Sequence, residues 1–204
     1  MRNSHLKKIQ FAAVAALTVL LGLGATGCAS GVDKLANQFR NGDNKNYVTG
    51  DGTALEIAAA DRGKPVNWAG VTDQATVLTS QNLSGVVTVI NFWYAGCAPC
   101  RAEAKDMQKL YEKFLPSNVQ FVGVNVRDTA GTAKAFNRSF GITYPTLIDN
   151  STGTVVLAFT GVVSPQAVPS TLVVDRQGRV AARVLGRMES GTLSAMIQKV
   201  VVEK

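Results

Sequence analysis

Val86-Val87-Thr88-Val89-Ile90-Asn91-Phe92-Trp93 runs directly into Tyr94-Ala95-Gly96-Cys97-Ala98-Pro99-Cys100-Arg101-Ala102-Glu103, and this stretch decides the fold. Its first half is a nearly continuous β-branched and apolar run, as expected of a central strand buried on both faces. From Pro99 to Leu115 the period changes, with Ala104, Met107, Leu110, Tyr111 and Phe114 at helical spacing and Pro116 closing the helix. Two cysteines therefore sit in the loop between a buried strand and a helix. Cys97 falls at the helix start with Pro99 in the first turn, where proline is tolerated. Backbone N–H groups and the helix dipole favour an anion there, so the Cys97 thiolate forms below the pKa of about 8.5 of a free cysteine. A thiolate attacks a partner disulfide, and a second thiol three residues on resolves the mixed disulfide. This makes Cys97 the exposed nucleophile and Cys100 the more buried resolving thiol. The alternatives are a static disulfide, which closes too small a loop to stabilise much, or half of a metal site.

Composition narrows the choice. The 204 residues hold three cysteines and one histidine, His5. His5 lies in an expected leader, which leaves no imidazole for a hydrolase base, a zinc or copper site, or bis-His haem. No metal and no cofactor beyond a redox-active disulfide is expected. Arg2, Lys7 and Lys8 precede Ile9 to Gly24, a run whose only polar members are Gln10 and Thr18. This reads as a signal peptide. Gly24-Ala25-Thr26-Gly27-Cys28 resembles a bacterial lipobox, which implies cleavage before Cys28 and its lipidation. An uncleaved anchor helix and a plain secretory peptide are the alternatives. Every one of these places the rest of the chain outside the cytoplasm, at the outer face of a bacterial membrane in the lipid-anchored case. Residues 28–204 then carry 18 Lys+Arg against 14 Asp+Glu, a net of +4 that is too small to argue for nucleic acid.

Three segments are expected: a signal peptide over residues 1–27, a flexible tether rich in Asn, Asp, Gly and Lys over 28–65, of which a short stretch such as Tyr47 to Ala60 could lie along the domain surface, and a globular domain over 66–204. Within the domain, Val66 to Gly70 and Ala75 to Leu78 read as a hairpin, Val119 to Val126 as a second buried strand, and Ala130 to Phe140 as a helix. Thr146 to Ile148 reads as a short strand and Val155 to Phe159 as a short helix. Ser170 to Asp175 and Val180 to Val184 form a closing hairpin, and Ser190 caps a last helix running to about Val202. The class is α/β, a mixed sheet flanked by helices.

The block from Val89 to Glu103 resembles the active-site block of the thioredoxin superfamily, and more narrowly the extracytoplasmic thiol-disulfide oxidoreductases of the TlpA/ResA type. The resemblance runs from about Val66 to Val202, with an N-terminal hairpin and a central strand-helix insert (Phe121 to Asp128, then Phe140 to Asp149). It implies a thioredoxin fold and dithiol-disulfide exchange with protein partners such as apocytochrome c, supplied by a membrane electron donor. It also implies a cis-proline opposite the cysteines. Pro169 has the right order of elements behind it, and Val168 before it would pair with a bound peptide. An ordinary trans loop proline is the alternative. Glu103 lies one helical turn beyond Cys100 and matches an active-site glutamate of the ResA-like group; otherwise it is an acid that simply favours its helix. Asn91 stands where cytoplasmic thioredoxin has a buried aspartate. Gly96 stands where the family usually has an aromatic residue, leaving Trp93 and Tyr94 as the only rings available to shield Cys97.

The leading expectation is a lipid-anchored, monomeric reductant serving cytochrome c maturation. An oxidant or isomerase for exported proteins keeps the same chemistry in reverse. A peroxiredoxin-like peroxidase is a different enzyme class and would want Thr or Ser where Tyr94 stands. A non-catalytic binding lipoprotein would not need the intact cysteine pair.

Overall fold

The computed structural model describes residues 54–163 and 167–203. The expected signal peptide, His5, Cys28 and the tether up to residue 53 lie outside the described residues. Numbered in chain order, the described strands are β1 (Ala54–Glu56), β2 (Ala69–Val71), β3 (Val77–Thr79), β4 (Val87–Trp93), β5 (Val119–Asn125), β6 (Thr146–Ile148), β7 (Ser170–Val174) and β8 (Val180–Leu185). The helices are α1 (Ala98–Phe114), α2 (Ala130–Phe140), α3 (Thr154–Ala158) and α4 (Ser190–Val202).

Six strands form one mixed sheet in the order β1-β8-β7-β4-β5-β6, and β2 pairs with β3 in a separate hairpin. Strand β4 runs parallel to β5 and antiparallel to β7, so both of its edges are paired. All seven of its residues are buried, as the nearly continuous apolar and β-branched run predicts. Strand alternation then sorts the core into two faces. Val87 and Val89 pack with Met107, Leu110 and Phe114 of α1 and Leu193 and Ile197 of α4. Ile90 and Phe92 pack on the opposite face with Trp68, Val155, Val156 and Phe159. This is the expected α/β thioredoxin-like architecture with its hairpin.

Two sequence expectations need correction. The tether does not extend to residue 65: β1 pairs with β8 through Ala54↔Val184 to Glu56↔Ala182, and Ile57 N–H donates to the Ala181 carbonyl. The polar composition that suggested a linker conceals one decisive cation. Arg62 has a side chain only 3% exposed and donates to Asp175 at 3.0 Å and to both carboxylate oxygens of Glu203 at 2.6 and 2.7 Å. Burial works against its charge, yet the two carboxylates outweigh that cost and hold its pKa above the ordinary guanidinium value. A single edge strand and one buried ion-pair cluster thus attach residues 54–65 to the domain. The second correction concerns α4, which begins after Glu189, not with Ser190 as its cap, and no side chain bonds its first turn.

Arg62→Ala leaves Asp175 paired with Arg179 at 2.9 Å but strands Glu203. A loss of about 2 to 3 kcal/mol is expected, below the usual cost of breaking a buried pair because one partner remains. Urea unfolding of the two proteins measures it.

Candidate active site

The parallel pairing of β4 with β5 and its antiparallel pairing with β7 bring three loops to one end of the sheet. The register Phe92↔Ser170 sets the residue before β7 beside the carboxyl end of β4. That residue is Pro169, and the Val168–Pro169 peptide bond is cis. Val168 packs against the cluster of Trp93, Cys97, Cys100, Ala104, Ala133 and Phe136. Val168 thus lies against the cysteine cluster, with Pro169 next to it in the chain.

Cys97 is the N-cap of α1, and Cys97 and Cys100 form a disulfide with an S–S length of 2.05 Å. The Cys97 sulfur accepts the Cys100 N–H at 3.2 Å, the orphan helix N–H that would stabilise a thiolate after reduction. The expected contrast between an exposed Cys97 and a buried Cys100 is absent, since each residue is 3% exposed. The reason is the ring of apolar side chains around them. Tyr94 covers the position left open by Gly96: a Cβ on Gly96 would lie 3.5 Å from the tyrosine ring. Trp93 packs against Phe136 with ring centroids 4.3 Å apart. Glycine at 123 leaves room for that indole, because a Cβ there would come within 2.9 Å of Trp93 Nε1. The loop itself is pinned by Asp128, whose carboxylate accepts the Ala95 N–H at 2.6 Å and the Asn125 amide at 2.8 Å.

Glu103 is 2% exposed. It lies beyond the first turn of α1, so it is not simply an acid placed to favour the helix. Asn91 Nδ2 donates to one of its oxygens at 3.0 Å and the Met188 N–H to the other at 2.9 Å. Asn91 in turn donates to Thr171 Oγ1 at 3.0 Å, tying together α1, β4, β7 and the turn after β8. Burial pushes the Glu103 pKa from an ordinary 4.5 up to about 7, against the opposing pull of these donors and of Arg187. Glu103 and Cys100 both line an internal cavity of about 10 Å³, together with Asn91, Asn137 and Tyr144. That is space for about one water molecule in a cavity that the carboxyl and Cys100 both line. Asp128, Thr171 and the Met188 amide escape a sequence reading because their partners are 33, 80 and 85 residues away. Asn91 was visible as a polar residue in an apolar strand, but its bond to Glu103 was not.

The chain belongs to the AhpC/TSA family, which it matches over residues 63–183. It is 26% identical over 120 residues to a thiol-disulfide oxidoreductase ResA of Bacillus cereus, an alignment covering 59% of this chain and 66% of that protein. The chain thus spans slightly less than two thirds of that relative's length. Among solved structures it resembles a secreted thiol-disulfide isomerase from Corynebacterium glutamicum, with TM-score 0.70, 26% identity and coverage of 78% of this chain and 98% of that one. It also resembles a DsbF homologue from Corynebacterium diphtheriae, with TM-score 0.67, 29% identity and coverage of 75% and 96%.

The carboxyl of Glu103 sets a pH dependence. Its raised pKa means that the native state holds a proton that the unfolded chain has released, so stability is highest below about pH 4.5 for this group and falls as pH rises towards about 7. The oxidised cysteines do not titrate and His5 is the only imidazole, so few other groups respond in that range. Urea unfolding of the oxidised protein between pH 5 and 8 is expected to show this fall, and Glu103→Gln to flatten it.

Proposed function

We propose that this protein is a thiol-disulfide oxidoreductase acting on protein partners. The observation that carries the reading is the Cys97–Cys100 disulfide at the start of α1, with the buried carboxyl of Glu103 sharing a cavity with Cys100. In the reducing direction the Cys97 thiolate attacks one sulfur of a partner disulfide, forming a mixed disulfide and releasing the other partner sulfur as a thiolate. Cys100 then loses its proton, which the Glu103 carboxylate accepts, and attacks Cys97. The Cys97–Cys100 disulfide forms and the partner leaves with both sulfurs reduced, two electrons having passed to it. A carboxyl with a pKa of about 7 is suited to that exchange because it takes up and gives back a proton near neutral pH. Val168, next to the cis-proline, offers its backbone to an extended partner segment.

The finer reading is a lipoprotein anchored through Cys28 outside the cytoplasm, which reduces apocytochrome c and is itself re-reduced by a membrane electron donor. The lipobox-like sequence and the resemblance to the ResA group support it. The opposite direction, oxidation or isomerisation of exported proteins, draws support from the likeness to the secreted Corynebacterium glutamicum isomerase. A peroxidase is disfavoured by Tyr94 three positions before Cys97 and by the pairing of both cysteines within the first turn of one helix.

Equilibration of the purified protein against defined dithiol buffers measures its reduction potential. A value below roughly −230 mV is expected for the reductant, whereas a value near roughly −120 mV would assign the oxidative direction. Cys100→Ser is expected to accumulate the mixed disulfide through Cys97, detectable by mass, and Cys97→Ser to abolish exchange. If Cys97→Ser exchanges as fast as the unsubstituted protein, the proposed chemistry is wrong.

A further inference from the structure

Arg62, Arg179 and Lys199 are paired, with Asp175, Glu203 and Glu56. Three arginines near the disulfide have no such carboxylate partner among the described residues. Arg101 follows Cys100 directly, lies over the Phe140 ring at 5.2 Å, and spends one donor on the Ala95 carbonyl at 3.3 Å. Arg127 lies over the Tyr94 ring at 4.2 Å, and that ring in turn covers Gly96 beside Cys97. Arg187 is exposed, faces Glu103 closely enough to oppose the rise of its pKa, and follows Gly186, whose N–H donates to the Pro169 carbonyl at 2.8 Å.

Among the described residues none of these three guanidiniums meets a carboxylate within ion-pair distance. Asp128, next to Arg127 in the chain, is committed to the Ala95 N–H and the Asn125 amide. Two of the arginines are held over aromatic rings, which limits the side-chain entropy lost when a ligand is bound. A guanidinium fork so held matches a carboxylate in two-point geometry.

We infer that Arg101, Arg127 and Arg187 select partner segments in which the reacting cysteine is flanked by aspartate or glutamate. The inference rests on the dithiol-exchange reading and deepens it by naming the substrate class. Charge complementarity acts on the encounter step, so it governs the rate of mixed-disulfide formation and is screened by salt.

The test uses the full chain in its reduced form and two synthetic peptides bearing the same Gly-Cys-Gly centre as a mixed disulfide with a chromogenic thiol. One peptide has glutamates on both flanks and the other lysines. Each exchange rate is divided by that peptide's rate with dithiothreitol, which removes the effect of the flanks on the cysteine itself. The normalised acidic-to-basic ratio is expected to be roughly tenfold or more at low salt and to approach one in about 1 M salt. The double substitution Arg127→Glu with Arg187→Glu is expected to invert it. A ratio of one or less in the unsubstituted protein overturns the inference, as does a ratio that the folded double variant leaves unchanged. If the variant does not fold, the ratio in the unsubstituted protein decides alone. Failure of that protein to exchange with uncharged hydroxyethyl disulfide would instead sink the dithiol-exchange reading, so the two failures are distinct.

Discussion

Strand β4 is paired on both edges and covered on both faces, and every group near the cysteines takes its position from it. A strand so enclosed cannot slip its register, because a one-residue shift would exchange its two buried sets. Its carboxyl end therefore delivers Trp93 and the following loop to a fixed place. The antiparallel partner β7 begins at that level, which brings Val168 and Pro169 alongside. The parallel partner β5 ends there as well, and the loop that follows supplies Arg127 and Asp128.

On that frame the site sets a buried acid below a partly enclosed disulfide. Placing Glu103 in the interior disfavours its charged form, and two donors, from the Met188 backbone and Asn91, together with the charge of Arg187 offset part of that cost. Burial wins, and the carboxyl titrates near neutrality. The same donors tie α1 to β4 and to the turn before α4, so the proton-holding group is also a structural junction. Tyr144, buried nearby, has its hydroxyl pKa pushed up by burial and by the Glu103 charge, so it remains a neutral wall of the cavity.

Electrostatic economy differs among the cations of the domain. Arg62, Arg179 and Lys199 are neutralised by carboxylates, and Arg62 and Lys199 hold the N-terminal segment and the C-terminal helix in place. Arg176 adds to this by donating to the carbonyls of Val201 and Glu203 at the end of α4. Near the cysteines the Arg101 and Arg127 guanidiniums rest on rings and have no carboxylate partner among the described residues. An unpaired exposed cation contributes little to folding, so arginines left in this state are available to a partner.

The sequence by itself determined the elements from β2 onward and their order, because hydrophobic period and helix-terminal chemistry are local properties. The apolar run of β4, Cys97 with Pro99 at the start of α1, and the helix Ala130–Phe140 were all legible in that way. So were Cys97, Cys100 and Glu103 as members of one segment, three residues apart. Tertiary structure alone decided what depends on contacts across long separations. Arg62 reaches Glu203 over 141 residues, which turns an apparent linker into part of the domain. The Met188 N–H reaches Glu103 over 85 residues. Tyr94 closing over Gly96 and apolar side chains surrounding both cysteines removed the expected difference in their exposure. Periodicity carries no record of such contacts, because the strength of a buried charge or the shielding of a sulfur is set by neighbours that only the folded chain brings together.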